Sequence, residues 1–165
     1  MKQIKKTKKQ ESGRSMIEMV GVLAVMGLIT AGAFVLISSA MKSQKTSRLD
    51  DDVSAIVAGV RLLYNSADNF SGLTNEALGV IGYGSDVKNP YGGSYYVSGS
   101  GTTFYVYVDA LSQSECNALK GRKFPGGGNT VTGGSQVKVD SSTQVASLDG
   151  TSCGKAVRIT YSKVQ

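Results

Sequence analysis

Residues 19–41 read MVGVLAVMGLITAGAFVLISSAM, 23 consecutive positions without a charge. At about 1.5 Å per residue, a helix of that length crosses a hydrocarbon core of about 30 Å. A buried core helix would be shorter and one-sided, and a cleavable secretory signal usually has an apolar region of about 7–15 residues. The stretch therefore predicts a membrane span.

Upstream, lysines 2, 5, 6, 8 and 9 form a basic leader, whereas the downstream flank mixes Lys42, Lys45 and Arg48 with Asp50, Asp51 and Asp52. The positive-inside rule then keeps the N-terminus cytoplasmic and exports the remainder. The formal net charge of +6 is concentrated in that leader; beyond Gly13 the chain holds 13 basic and 11 acidic residues. A nucleic-acid partner is not expected from so even a balance. Export also places Cys116 and Cys153, 37 positions apart, in the oxidising compartment, where a disulfide is expected. With no histidine and only two cysteines, the usual histidine-based catalytic and metal sets are missing. No enzyme activity, metal site or cofactor is expected.

Glu18 stands at the cytoplasmic edge of the span, where an unpartnered carboxylate in lipid costs on the order of 2–3 kcal/mol or more. It needs a cation. Arg14, one turn earlier, is one source, and a free α-amino group, positively charged at neutral pH, is the other. Within the span, Gly27 and Ala31 have the small-xxx-small spacing that lets helices approach closely, although glycine is common in spans for other reasons.

The stretch Gly13-Arg14-Ser15-Met16-Ile17-Glu18, after a basic leader and before the apolar run, resembles the type IV prepilin processing site. In that family the leader ends in Gly, and the fifth residue of the mature chain is Glu. Arg14 stands where the family usually has Phe or Met. The resemblance implies cleavage between Gly13 and Arg14 by a prepilin peptidase, N-methylation of Arg14, and assembly into a helical filament. Glu18 would then form an assembly salt bridge with the N-terminal amine of a neighbouring subunit. Asn89-Pro90-Tyr91, the run Val106 to Leu119, and Cys153 before a final strand are similar to the type IVb subfamily, in a major-pilin role. There, Gly121 to Gly150 would be the variable outer face.

After the span, Leu49, Val53, Ile56, Val57, Val60, Leu63 and Tyr64 recur at three- and four-residue spacing, predicting an amphipathic continuation of the first helix. A break near Ser38 to Lys45 is the alternative. From Gly72 onward lie 16 of the 21 glycines and both prolines, separating short runs that read as strands. Strands are predicted at 94–98, 103–108, 136–139 and 156–161, with short helices near 74–78 and 112–120. Ser112 and Glu115 have the spacing of a capping box. The Asp50 to Asp52 run reads as a solvated helix face.

The expected fold is α+β, a long N-terminal helix on a small antiparallel sheet, as in type IV pilins. The expected parts are the leader at 1–13, the transmembrane and assembly half of the helix at 14–41, its amphipathic half at 42–67, and an exported head at 68–165. The expected function is a pilus subunit, a homopolymer serving adhesion, motility or aggregation. Its expected partners are the membrane, the peptidase, and an inner-membrane assembly platform with its ATPase. A minor pilin or secretion pseudopilin is one alternative, and a monomeric membrane-anchored binding domain is another.

Overall fold

A computed structural model describes residues 12–128 and 130–163. Of the leader expected at 1–13, only Ser12 and Gly13 fall among them. The chain divides into two compact units, residues 1–43 and 44–165. Helix α1 spans Ser12–Leu63 without interruption, so the break expected as an alternative near Ser38 to Lys45 is absent.

In the first unit, the side chains of α1 from Met16 to Met41 are exposed throughout, the large apolar ones from 56% at Val22 to 77% at Ile17. Two of its hydroxyls bond back onto the helix: Thr30 Oγ1 donates to the Met26 carbonyl at 2.8 Å and Ser38 Oγ to the Val35 carbonyl at 2.9 Å. Both polar groups are satisfied within the helix, as an apolar surrounding requires.

In the second unit the same helix carries Leu49, Val53, Ile56, Val57 and Val60, each at most 2% exposed. Their three- and four-residue spacing puts them on one face. They share one buried cluster with Tyr95 and Val97, Phe104, Val106 and Val108, and Val157, Ile159 and Tyr161. Burying each aliphatic side chain stabilises the fold by roughly 1.5–3 kcal/mol before conformational entropy is subtracted. Phe104 stacks on Tyr161 at 5.1 Å and meets Phe70 at 4.7 Å, which ties the sheet to the segment that follows the helix.

The sheet contains β1 (Tyr95–Ser100), β2 (Thr103–Val108), β3 (Thr130–Gly134) and β6 (Ala156–Ser162), in the order β1-β2-β6-β3 with all pairs antiparallel. The last strand in sequence is thus an inner strand. A hairpin of β4 (Gln136–Val139) and β5 (Ala146–Asp149) stands apart, with β5 in contact with β1 and β6. The outer edge of β1 is covered: Phe70 N–H donates to the Gly101 carbonyl at 2.7 Å and Gly99 N–H to the Leu73 carbonyl at 3.2 Å. That pairing removes an edge open to aggregation. An added Cβ at Gly99 would collide with the Phe70 carbonyl, so only glycine permits the approach.

Two strands, β3 and β5, escaped the sequence reading. TVTGG and ASLD are short, and two adjacent glycines or an Asp near a turn read as loop. Strand β1 begins at Tyr95 rather than Ser94, because the Ser94 N–H is taken at 2.6 Å by the Asp109 carboxylate. Helix α1 ends at Leu63, short of 67, where the turn-forming Asn65 and Ser66 follow. The first short helix, α2, lies at Ala77–Val80 rather than 74–78, and the second, α3, at Gln113–Leu119. Ser112 caps α3 in a capping box with Glu115.

Candidate assembly site

The sequence-derived site residues fall into two groups that the fold keeps in different units. Gly13, Arg14 and Glu18 lie on the first turns of α1, all in the first unit. Glu18 is exposed and is the sole carboxylate between Ser12 and Leu49. Gly21, Gly27 and Gly32 have nothing within 4 Å of the place a Cβ would take. Among the described residues, none makes a close approach to these glycines.

Cys116 and Cys153 are joined by a disulfide, with their Cα atoms 5.6 Å apart. The bridge links α3 to the segment before β6 and lies against Gly133 of β3, where an added Cβ would stand 2.6 Å from Cys153 Sγ. Closing a loop across 37 residues is worth about 4 kcal/mol on chain-entropy grounds.

The acidic run at Asp50 to Asp52 is not the solvated face expected from its charge. Asp50 Oδ2 accepts from Arg122 Nη2 at 2.8 Å. Asp52 accepts from Tyr95 at 2.6 Å and from Tyr83 at 3.2 Å. Burial, then the hydrogen bond to this carboxylate and its charge, push the Tyr95 hydroxyl far above its ordinary range. Only Asp51 is left to solvent. Three consecutive helical residues point in different directions, so each acid meets a different neighbourhood.

Residues 121–128 are likewise not purely an outer face. Besides the Arg122 pair, Arg61 Nη2 donates to the Gly126 carbonyl at 2.7 Å, so two arginines fasten the loop to α1. Gly126 lies against Val57 with φ of +75°, and Gly128 lies against Ile159 and Tyr161. Neither arginine could be singled out from sequence, because the 65-residue separation of Arg61 and Gly126 leaves no local pattern.

Asn89, 3% exposed, was noticed only as part of a motif. Its amide donates to the carbonyls of Asp109 (2.9 Å) and Ser94 (3.2 Å), and its oxygen accepts from the N–H groups of Tyr91 and Gly93. All four hydrogen-bonding positions of the side chain are used, which fixes the loop leading into β1. Among the described residues no cluster of potential metal ligands occurs. Among them one helix, Met16–Leu63, is long and apolar enough to cross a membrane.

Comparison with known proteins agrees with this architecture. Residues 43–164 match the family described as PilS N terminal. The chain is 24% identical to the toxin coregulated pilin of Vibrio cholerae serotype O1 over 126 residues, which cover 66% of this chain and 56% of that protein. It is 27% identical to the major structural subunit of bundle-forming pilus from Escherichia coli O111:H- over 166 aligned positions, covering 93% and 83% of the two chains. For the same subunit from Escherichia coli O127:H6, identity is 29% over 125 residues, with 68% and 65% covered. The chain thus spans little more than half the length of the Vibrio pilin. No solved structure matches it. The family match begins at residue 43, but the O111:H- alignment is long enough to enter the first unit as well. With a family match over most of its length and a long helix on an antiparallel sheet, the chain belongs to the PilS N-terminal family and is a type IVb-like pilin.

Proposed function

We propose that this chain is the structural subunit of a type IV pilus, made as a prepilin and polymerised into an extracellular helical filament for adhesion, motility or aggregation. The observation that carries it is the exposed apolar run of α1, with a single carboxylate at its start. Lipid is one surrounding that accepts such a surface, and copies of the same helix are the other.

In this mechanism a prepilin peptidase cuts between Gly13 and Arg14 at the cytoplasmic face, and Arg14 becomes the methylated N-terminus. The subunit waits in the inner membrane with its head exported. An assembly platform and its ATPase then draw it into the filament. Glu18, moving from the lipid boundary into the filament core, is neutralised by the terminal amine of an adjacent subunit. A buried carboxylate survives only beside a cation, so cleavage and assembly are chemically coupled. The glycines at 21, 27 and 32 leave room for neighbouring helices. No step requires catalysis or a cofactor from this chain.

Replacing Glu18 by Ala tests the mechanism. The variant is expected to insert and to keep its head folded, but to yield at least about tenfold fewer filaments, the consequence of losing one buried charge pair. Wild-type filament yield from Glu18→Ala would overturn it, and a wild type that forms no filament would favour a monomeric anchored domain.

A further inference from the structure

A cleft of about 200 Å³ opens between the C-terminal end of α1 and the end of β6, lined by Arg61, Tyr64, Asn65, Phe70 and Lys163. Two cations from positions 102 residues apart converge here, and among the described residues no carboxylate lines the cleft. Among the described residues, neither cation meets an acid: Arg61 Nη2 donates to the Gly126 carbonyl and Lys163 Nζ to the Ala67 carbonyl, at 2.7 and 2.6 Å. The Nε of Arg61 is buried and finds no acceptor. Arg61 also sits in the last turn of α1, where a cation complements the helix dipole, but that role accounts for one charge and not for the second. Tyr64 is the aromatic part of the wall, backed by the buried Phe70 ring 5.7 Å away and tilted by 44°.

We propose that this cleft binds a carboxylate carried on a small hydroxylated ring, the chemistry of a sugar acid. Arg61 and Lys163 supply charge-assisted donors to the carboxylate. The Tyr64 ring covers an apolar ring face, and Asn65, also on the lining, supplies hydrogen bonds to ring hydroxyls. The volume is below the usual range for drug-sized ligands and accommodates one small ring rather than an extended chain. The site belongs wholly to residues 61–163 and does not depend on polymerisation.

Calorimetric titration of the detergent-dispersed full chain with D-glucuronate, D-glucose and inorganic phosphate tests the assignment. Glucuronate is expected to bind saturably at roughly millimolar affinity, and glucose about tenfold more weakly for want of its charge. Arg61→Gln and Lys163→Gln are each expected to weaken glucuronate by about tenfold, with Arg61→Lys intermediate. Should Arg61→Gln unfold the head, Lys163→Gln, which among the described residues removes only a donor to the Ala67 carbonyl, decides alone. Equal binding of glucose, binding of phosphate alone, no binding of glucuronate, or full glucuronate affinity in Lys163→Gln would each overturn the proposal. Filaments that refuse glucuronate while dispersed subunits bind it would also overturn it, since the cleft would then belong to a neighbouring copy.

Discussion

Residues Met16–Met41 and Leu49–Val60 lie on one helix and draw on the same aliphatic side chains, yet they end in opposite surroundings. Ile29 is 67% exposed and Ile56 is fully buried. Hydrophobicity alone does not decide burial; a matching surface does. From Leu49 onward that surface is the sheet with its own aromatic and aliphatic face, and every third or fourth helical position is apolar to meet it. From Met19 to Met41 the helix is uncharged on all sides, and its side chains are exposed among the described residues. A surface of that kind is completed by lipid or by other copies.

The sharpest break in this comparison is a pair of identical substitutions. Ile56→Ala is expected to destabilise the head by about 2–5 kcal/mol, through lost burial and a cavity. Ile29→Ala is expected to leave thermal unfolding of the head unchanged and to weaken filaments instead. Chemical denaturation of the dispersed chain, beside filament yield, separates the two. Equal losses of head stability would mean that both segments serve the same core.

Removing the disulfide with Cys116→Ser and Cys153→Ser should cost about 2–4 kcal/mol, again in the head alone. Membrane insertion should be unaffected, which fractionation checks. A smaller effect is expected from Arg122→Gln. Its partner Asp50 is partly exposed, so about 1 kcal/mol or less is lost, and the lysis sites of limited proteolysis should move to residues 121–128.

Smallest is a pH effect confined to the β4–β5 turn. The Ser142 hydroxyl, then the N–H groups of Thr143 and Ser142, hold the Asp140 carboxyl down at about 2. A depressed carboxylate stabilises its turn above the ordinary carboxyl range, and the benefit is lost as pH falls through about 2. The Ser142 and Thr143 amide resonances should therefore titrate near that value while those of α1 do not. A midpoint near 4 would mean that the turn is open in solution.

Much of this organisation was legible because it is periodic or local. The uncharged run, the 3.6-residue spacing of Leu49 to Val60, the alternation in TFYVYV and the Ser112 cap each carry their signal within a few residues. What escaped is non-local. The Asp52 bonds to Tyr83 and Tyr95 and the two arginine fastenings join residues 31 to 72 positions apart, through side chains that look like ordinary surface charge. Strand β3 was hidden because its glycines, which signal a loop, are there to admit the disulfide and Leu148. In the N-terminal unit the reverse holds: Gly13, Arg14 and Glu18 were readable as a motif, while the partner proposed for them belongs to another copy and not to the fold of one chain.

The mass and N-terminal residue of subunits taken from isolated filaments test the central claim most directly. The expected subunit begins at Arg14, carries one added methyl group there, and lacks two hydrogens at Cys116 and Cys153. Filaments built from chains that still retain residues 1–13 would contradict the claim, because the Arg14 α-amine proposed to neutralise Glu18 would then not exist.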